Sequence, residues 1–139
     1  MIAQNKALTW TGRGITALIG LMMIFSAAMK LANSPEVAKE LVGRLGYPED
    51  VTVILGVVEL ACVVLYLFPR TAILGAVLLT GYLGGAVATH VRIHDPFIPP
   101  VIGGVLVWLA VYLRDSRIRA LLPLCCPAAP PEREGESRR

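Results

Sequence analysis

Charge is scarce in this chain of 139 residues: acidic and basic residues together make 17%, against 55% hydrophobic. A soluble helical bundle repeats polar residues every turn on its outer faces, and long stretches of this chain do not. Thiol chemistry has little to work with. Cys62 stands alone, and Cys125 and Cys126 are adjacent, so there is no C-x-x-C pair to cycle between thiol and disulfide. The adjacent pair has the form of an acylation site, but small apolar residues tolerated beside a membrane explain it more simply. No basic segment interleaved with aromatics occurs, which excludes a nucleic-acid partner. The first apolar run is not followed by a small-residue cleavage site, so it reads as a retained helix rather than a secretory signal.

What the chain does have is four apolar runs. They are Gly14 to Met29, Val51 to Pro69 interrupted only by Glu59, Thr71 to Thr89, and Pro96 to Leu113. A helix crosses a bilayer with roughly 20 apolar residues, about 17 at the low end. With their flanks all four runs qualify. The pattern predicts an all-α membrane protein, a four-transmembrane-helix bundle whose partner is the lipid bilayer. The spans fall at about 12–32, 50–69, 70–91 and 97–115, within one domain over 1–123. The remainder, 124–139, is rich in Pro, Glu and Arg and is expected to be a disordered cytoplasmic tail.

The connections carry their own signals. Between spans one and two, Ser34 can cap a short helix that starts at Pro35, with Glu36 in its first turn. Val37, Leu41, Val42 and Leu45 share a face, and Gly46 and Pro48 end the helix. This short amphipathic helix lies on the outer surface or folds over the mouth of the bundle. "FPRT" joins spans two and three in a tight hairpin. Asp95-Pro96 and Pro99-Pro100 set where span four begins. Gly81 and Gly85 form a G-x-x-x-G pair, with Gly84 and Gly103-Gly104 as further small-residue contact points for this chain or a neighbour. Trp10, Tyr66, Trp108 and Tyr112 fall toward one interface as a partial aromatic belt.

Lys and Arg set the orientation. The side that holds both termini carries Lys6, Arg13, Arg70, Arg114, Arg117, Arg119, Arg133, Arg138 and Arg139, against Lys30, Lys39, Arg44 and Arg92 on the other. The excess predicts a multi-pass protein of the inner (plasma) membrane with both termini cytoplasmic.

Glu59 is the only acid inside an apolar span, and an ionisable group there usually faces the bundle interior with a partner. It lies about 12 Å below the outer start of span two, at 1.5 Å per residue. Tyr82, eight residues before His90, falls at a similar depth on span three. Lys30 sits at the outer end of span one, with Ser26 one turn deeper. Arg92, His94 and Asp95 fill the mouth. Two readings stand. In one, Glu59 bonds Tyr82 or Lys30 and His90 caps its helix, which simply holds the bundle together. In the other, the same groups form an outward-facing pocket, with Glu59, His90 and Lys30 doing acid-base work and Tyr82, Ser26 and Arg92 holding a lipophilic substrate. His90, His94 and Asp95 have the spacing of a metal set, but Pro96 ends the helix near His94 and Arg92 repels a cation, so no metal is expected.

"FSAAMKLA", "GVVELACVVLYLFPRTAILGAVLLTGYLGGAVATHVR" and "LVWLAVYLRDSRIRALLP" together resemble the DoxX-like family of small four-helix membrane proteins, over about residues 10–123. Lys30, Glu59, Ala88-Thr89-His90 and Arg114-Asp115 carry the likeness. His94 departs from the pattern. The resemblance implies quinone-linked work, since the wider family takes its name from a membrane subunit of a thiosulfate:quinone oxidoreductase. The expected function is therefore a quinone-linked oxidoreductase subunit or small enzyme, with a quinone as the cofactor. The alternative is a non-catalytic accessory subunit, packed through Gly81, Gly85 and Gly103 against a partner subunit or a second copy.

Overall fold

The computed structural model describes residues 6–122. The tail beyond, with Cys125 and Cys126, lies outside the described residues. Four long helices run α1 Lys6–Leu31, α3 Glu49–Leu67, α4 Ala72–Arg92 and α5 Ile98–Arg114; short helices α2 Pro35–Ala38 and α6 Ser116–Leu121 follow α1 and α5. α1, α3 and α4 are long and apolar enough to cross a membrane, and α5 is a shorter apolar helix of 17 residues, at the lower length limit of about 17. α1 begins earlier than the apolar run alone suggests, because nothing from Lys6 to Arg13 breaks a helix.

The local chemistry explains the boundaries. α1 stops at Asn33, whose φ of 47° is the left-handed turn that closes many helices. Ser34 then caps α2 by accepting a hydrogen bond from the Val37 N–H at 3.4 Å, with Pro35 in first position. From Lys39 to Arg44 the winding loosens into a π-helical stretch. Leu41 and Leu45, four apart, are both buried, so the amphipathic face points inward, over the mouth. Gly46, at φ 73°, ends the segment and Pro48 caps α3. Pro99 and Pro100 lie in the first turn of α5, where missing N–H groups leave no bond unmade.

The long helices form a square. α1 packs on α3 and α5, and α4 packs on the same two, so each helix neighbours two antiparallel partners. Lipid offers no hydrophobic drive for helices to associate, so close approach depends on small residues. The approach is made at Gly12, where a Cβ would meet the Ala110 carbonyl at 2.9 Å, and at Gly56, where it would meet Lys30 Cβ at 3.0 Å. At Gly75 an added Cβ would run into the Tyr66 backbone, so the α3–α4 hairpin closes only because Gly75 has no side chain. The glycines singled out from the sequence behave differently. A Cβ on Gly81, Gly84, Gly85 or Gly104 would meet nothing within 4 Å, and on Gly103 only the ordinary touch of Leu83 at 3.6 Å. The G-x-x-x-G spacing marks open space on α4, not a helix contact within the chain.

The core is Ile19, Cys62, Val63, Tyr66, Ala76, Leu79, Val107 and Val111. Tyr66 is a correction to the aromatic belt. It is fully buried, and its hydroxyl donates to the Val107 carbonyl at 3.2 Å. Trp10 remains exposed. Leu18, Leu21, Phe25, Ile54, Val57, Leu74, Val77, Ile102 and Val105 turn outward, an apolar exterior suited to a bilayer.

Candidate functional site

Glu59 sits eleven residues into the 19-residue α3, facing inward, and is 2% exposed. A lone carboxylate there is costly, and two neighbouring helices, α1 and α4, supply donors to it. Lys30 at the end of α1 donates from Nζ to Glu59 Oε2 at 2.7 Å. Ser26, one turn deeper on the same face of α1, donates to that oxygen at 3.4 Å and accepts from Lys30 Nζ at 2.7 Å. The Tyr82 hydroxyl on α4 donates to it at 3.1 Å. Every one of these bonds ends on Oε2. Oε1 takes none among the described residues, which leaves it as the carboxylate atom open toward the adjacent space.

That space is a cavity of about 570 Å³. Its floor is Ser26, Lys30, Glu59 and Tyr82; Met23, Leu55 and Leu83 give apolar walls; Gly81 and Gly85 leave it wide where larger residues would fill it. Tyr47, Thr89 and His90 stand at the mouth, and Leu41 of the π-helical segment and Leu45 just after it lie across it.

The segment is tied down at three places. The Tyr47 and Thr89 hydroxyls bond at 2.7 Å. Arg92 donates to the Leu45 carbonyl at 2.6 Å. Arg44 pairs with Glu40 at 2.9 Å and, closely, with Asp95. Asp95 in turn bonds His90 Nδ1 at 3.0 Å. With Nδ1 engaged by a carboxylate, Nε2 is the His90 nitrogen left for a ligand or water.

A model of the DoxX-like family matches residues 14–113, a range that spans the long helices and holds Ser26, Lys30, Glu59, Tyr82 and His90. The chain belongs to the DoxX-like family. None of the curated proteins and no solved structure matches it.

In this DoxX-like protein the residues named from the sequence divide into two sets. Lys30, Glu59, Tyr82 and Ser26 meet at one carboxylate oxygen, and His90 stands above them. Arg92 does not enter the cavity; it is exposed and held at the Leu45 carbonyl. α4 ends at Arg92, and His94 takes a left-handed φ of 56°, so His90 and His94 do not share a helix face. Asp95 is committed to His90 and Arg44. No group of three candidate metal ligands occurs among the described residues. Arg44 and Tyr47 were the residues missed. Tyr47 is the sole aromatic between the first two spans, held between Gly46 and Pro48, and that isolation was the available signal.

Proposed function

We propose that the cavity binds a lipophilic ligand with a polar ring headgroup, of the quinone class, and that the protein works as a quinone-linked oxidoreductase subunit or small enzyme. The observation that carries this reading is the one-sided bonding of Glu59, with every internal donor on Oε2 and Oε1 open to a cavity walled by apolar side chains. An acid held only for stability would be satisfied on both oxygens. In this reading Oε1 accepts a hydrogen bond from a ligand hydroxyl, and Lys30 offers its remaining N–H to a ligand carbonyl while Tyr82 holds Glu59 in place. His90 presents Nε2 at the mouth, and Arg92 positions the segment above. Family membership supports the membrane setting.

The test is a titration of the purified protein in detergent with a short-chain benzoquinone and with its quinol, followed by the shift in Tm. A saturable rise is expected in the wild type, lost in Glu59→Gln and in Gly81→Phe, which adds bulk to the cavity at a position whose Cβ would meet nothing within 4 Å. Unchanged binding in both variants, with folding intact, would sink the proposal.

A second reading rests on Gly84 and Gly104, which line an outward groove between α4 and α5 with Val87, Val105 and Trp108. There the chain is an accessory subunit that receives a partner helix. It predicts a stable partner on purification in mild detergent and no quinone binding by the isolated chain. We place the protein in the plasma membrane with both termini cytoplasmic, on the distribution of Lys and Arg. Thiol labelling of single cysteines placed at residues 47 and 70 from either side of the membrane tests that orientation.

A further inference from the structure

The two ends of the bundle differ in charge. Among the described residues, the end where α1 begins holds Lys6, Arg13, Arg70, Arg114, Arg117 and Arg119 against Asp115 alone. The other end holds Lys30, Lys39, Arg44 and Arg92 against Glu36, Glu40, Glu49, Asp50 and Asp95. The first is therefore strongly basic and the second slightly acidic.

Two of the cations at the basic end face one cavity of about 330 Å³, far from Glu59. They meet there because α1 and α5 cross at Gly12, whose missing side chain lets the α5 backbone at Ala110 and Arg114 come close. Arg13 follows Gly12 in α1, and Arg114 ends α5, so both residues line the same opening. Arg114 is held in place: it donates to the Tyr66 carbonyl at 3.1 Å and lies over the Tyr66 ring at 5.1 Å. Its remaining N–H groups make no bond among the described residues. Arg13 lies over the Trp10 ring at 5.4 Å and makes no hydrogen bond among them either. Asp115 also lines the cavity, but its carboxylate accepts the Arg117 N–H at 2.8 Å as the cap of α6. Leu67, Pro69 and Val111 supply apolar wall.

We propose that this cavity binds the phosphodiester headgroup of an anionic phospholipid. The guanidinium fork matches phosphate oxygens in pairs, and Arg114 is already oriented by its two contacts with Tyr66. The volume is at the small end of ligand pockets, which run roughly 300–1,000 Å³, so it takes a headgroup while the acyl chains stay in the bilayer. Trp10, 68% exposed on the first turns of α1, marks this end as the interfacial level where headgroups lie. The proposal is independent of the quinone reading, which concerns the opposite end.

The experiment measures Tm of the full chain in phosphatidylcholine bicelles as phosphatidylglycerol replaces phosphatidylcholine stepwise. A saturable rise is expected. Arg13→Gln should move its half-saturation by about tenfold, the scale of one hydrogen bond to a charged group. Arg114→Lys, which keeps the charge and loses the fork, should weaken it as well. Arg117→Gln, at the same end but outside the cavity, should change it by less than about twofold, as expected of a screened surface charge. Arg13 is the decisive position because it holds no other part of the fold. Half-saturation unchanged in Arg13→Gln would overturn the proposal. So would an equal weakening in Arg117→Gln, which would show diffuse surface attraction. The same rise produced by inorganic phosphate in phosphatidylcholine alone would overturn the lipid assignment in favour of a soluble anion.

Discussion

Replacing Lys30 by methionine keeps most of the apolar stem and removes the charge that faces Glu59 at 2.7 Å. Taking one partner from a buried ion pair costs about 3–5 kcal/mol, because the other charge is left uncompensated. Here Ser26 and Tyr82 still donate to Oε2, at 3.4 and 3.1 Å, and the Lys30 side chain is 14% exposed. Both place the loss at the lower end, about 3 kcal/mol. Glu59→Gln is milder, about 1 kcal/mol, since the amide oxygen still accepts from Lys30 and the ammonium can reach toward water. The double variant has no charge left to compensate and should also lose only about 1 kcal/mol, so the pair is coupled by about 3 kcal/mol. Cys62 is buried three residues beyond Glu59 and reports unfolding. With Cys125 and Cys126 replaced by serine it is the sole thiol, and its reactivity with a maleimide can be followed as sodium dodecyl sulfate is added to dodecyl maltoside micelles. Additive losses in the two single variants would refute the reasoning, because they would mean that neither charge depends on the other.

Gly75→Ala should cost about 3 kcal/mol in the same assay, by forcing α4 away from the Tyr66 backbone, whereas Gly14→Ala, with nothing within 4 Å, should gain about 0.5 kcal/mol. Tyr66→Phe removes one buried hydrogen bond to the Val107 carbonyl, which keeps its helical partner, and should cost about 1 kcal/mol. Asp95→Asn loosens the link from Arg44 to His90, and amide hydrogen exchange over residues 39–47 should accelerate by about tenfold while α3 and α4 stay protected.

The helices were legible because lipid imposes a simple rule, long apolar runs ended by turn residues, and Ser34, Gly46 and Pro99 are such residues. The meeting of Lys30, Glu59 and Tyr82 was legible too, since depth along a helix is arithmetic at about 1.5 Å per residue. Which glycines make contacts was not. Gly81 and Gly85 have the favoured spacing, yet the close crossings fall at Gly12, Gly56 and Gly75, because helix rotation decides which face meets a neighbour and an apolar run encodes rotation weakly. Tyr66 was misplaced for the same reason. The sequence placed many cations at the end of the bundle that bears the termini, but not which of them meet. Arg13 and Arg114 are 101 positions apart in sequence, and only the crossing at Gly12 brings them to one cavity.

The Lys30–Glu59 pair also bears on how the protein is made. As an isolated segment, α3 must enter the bilayer with an acid near its middle, at a cost of about 3 kcal/mol on the scale of translocon insertion. Its counter-charge lies 29 residues earlier in the chain, on a helix that has left the ribosome first. Synthesis from the N-terminus thus delivers the ammonium before the carboxylate needs it. The reverse order would ask the membrane to accept a bare acid and wait.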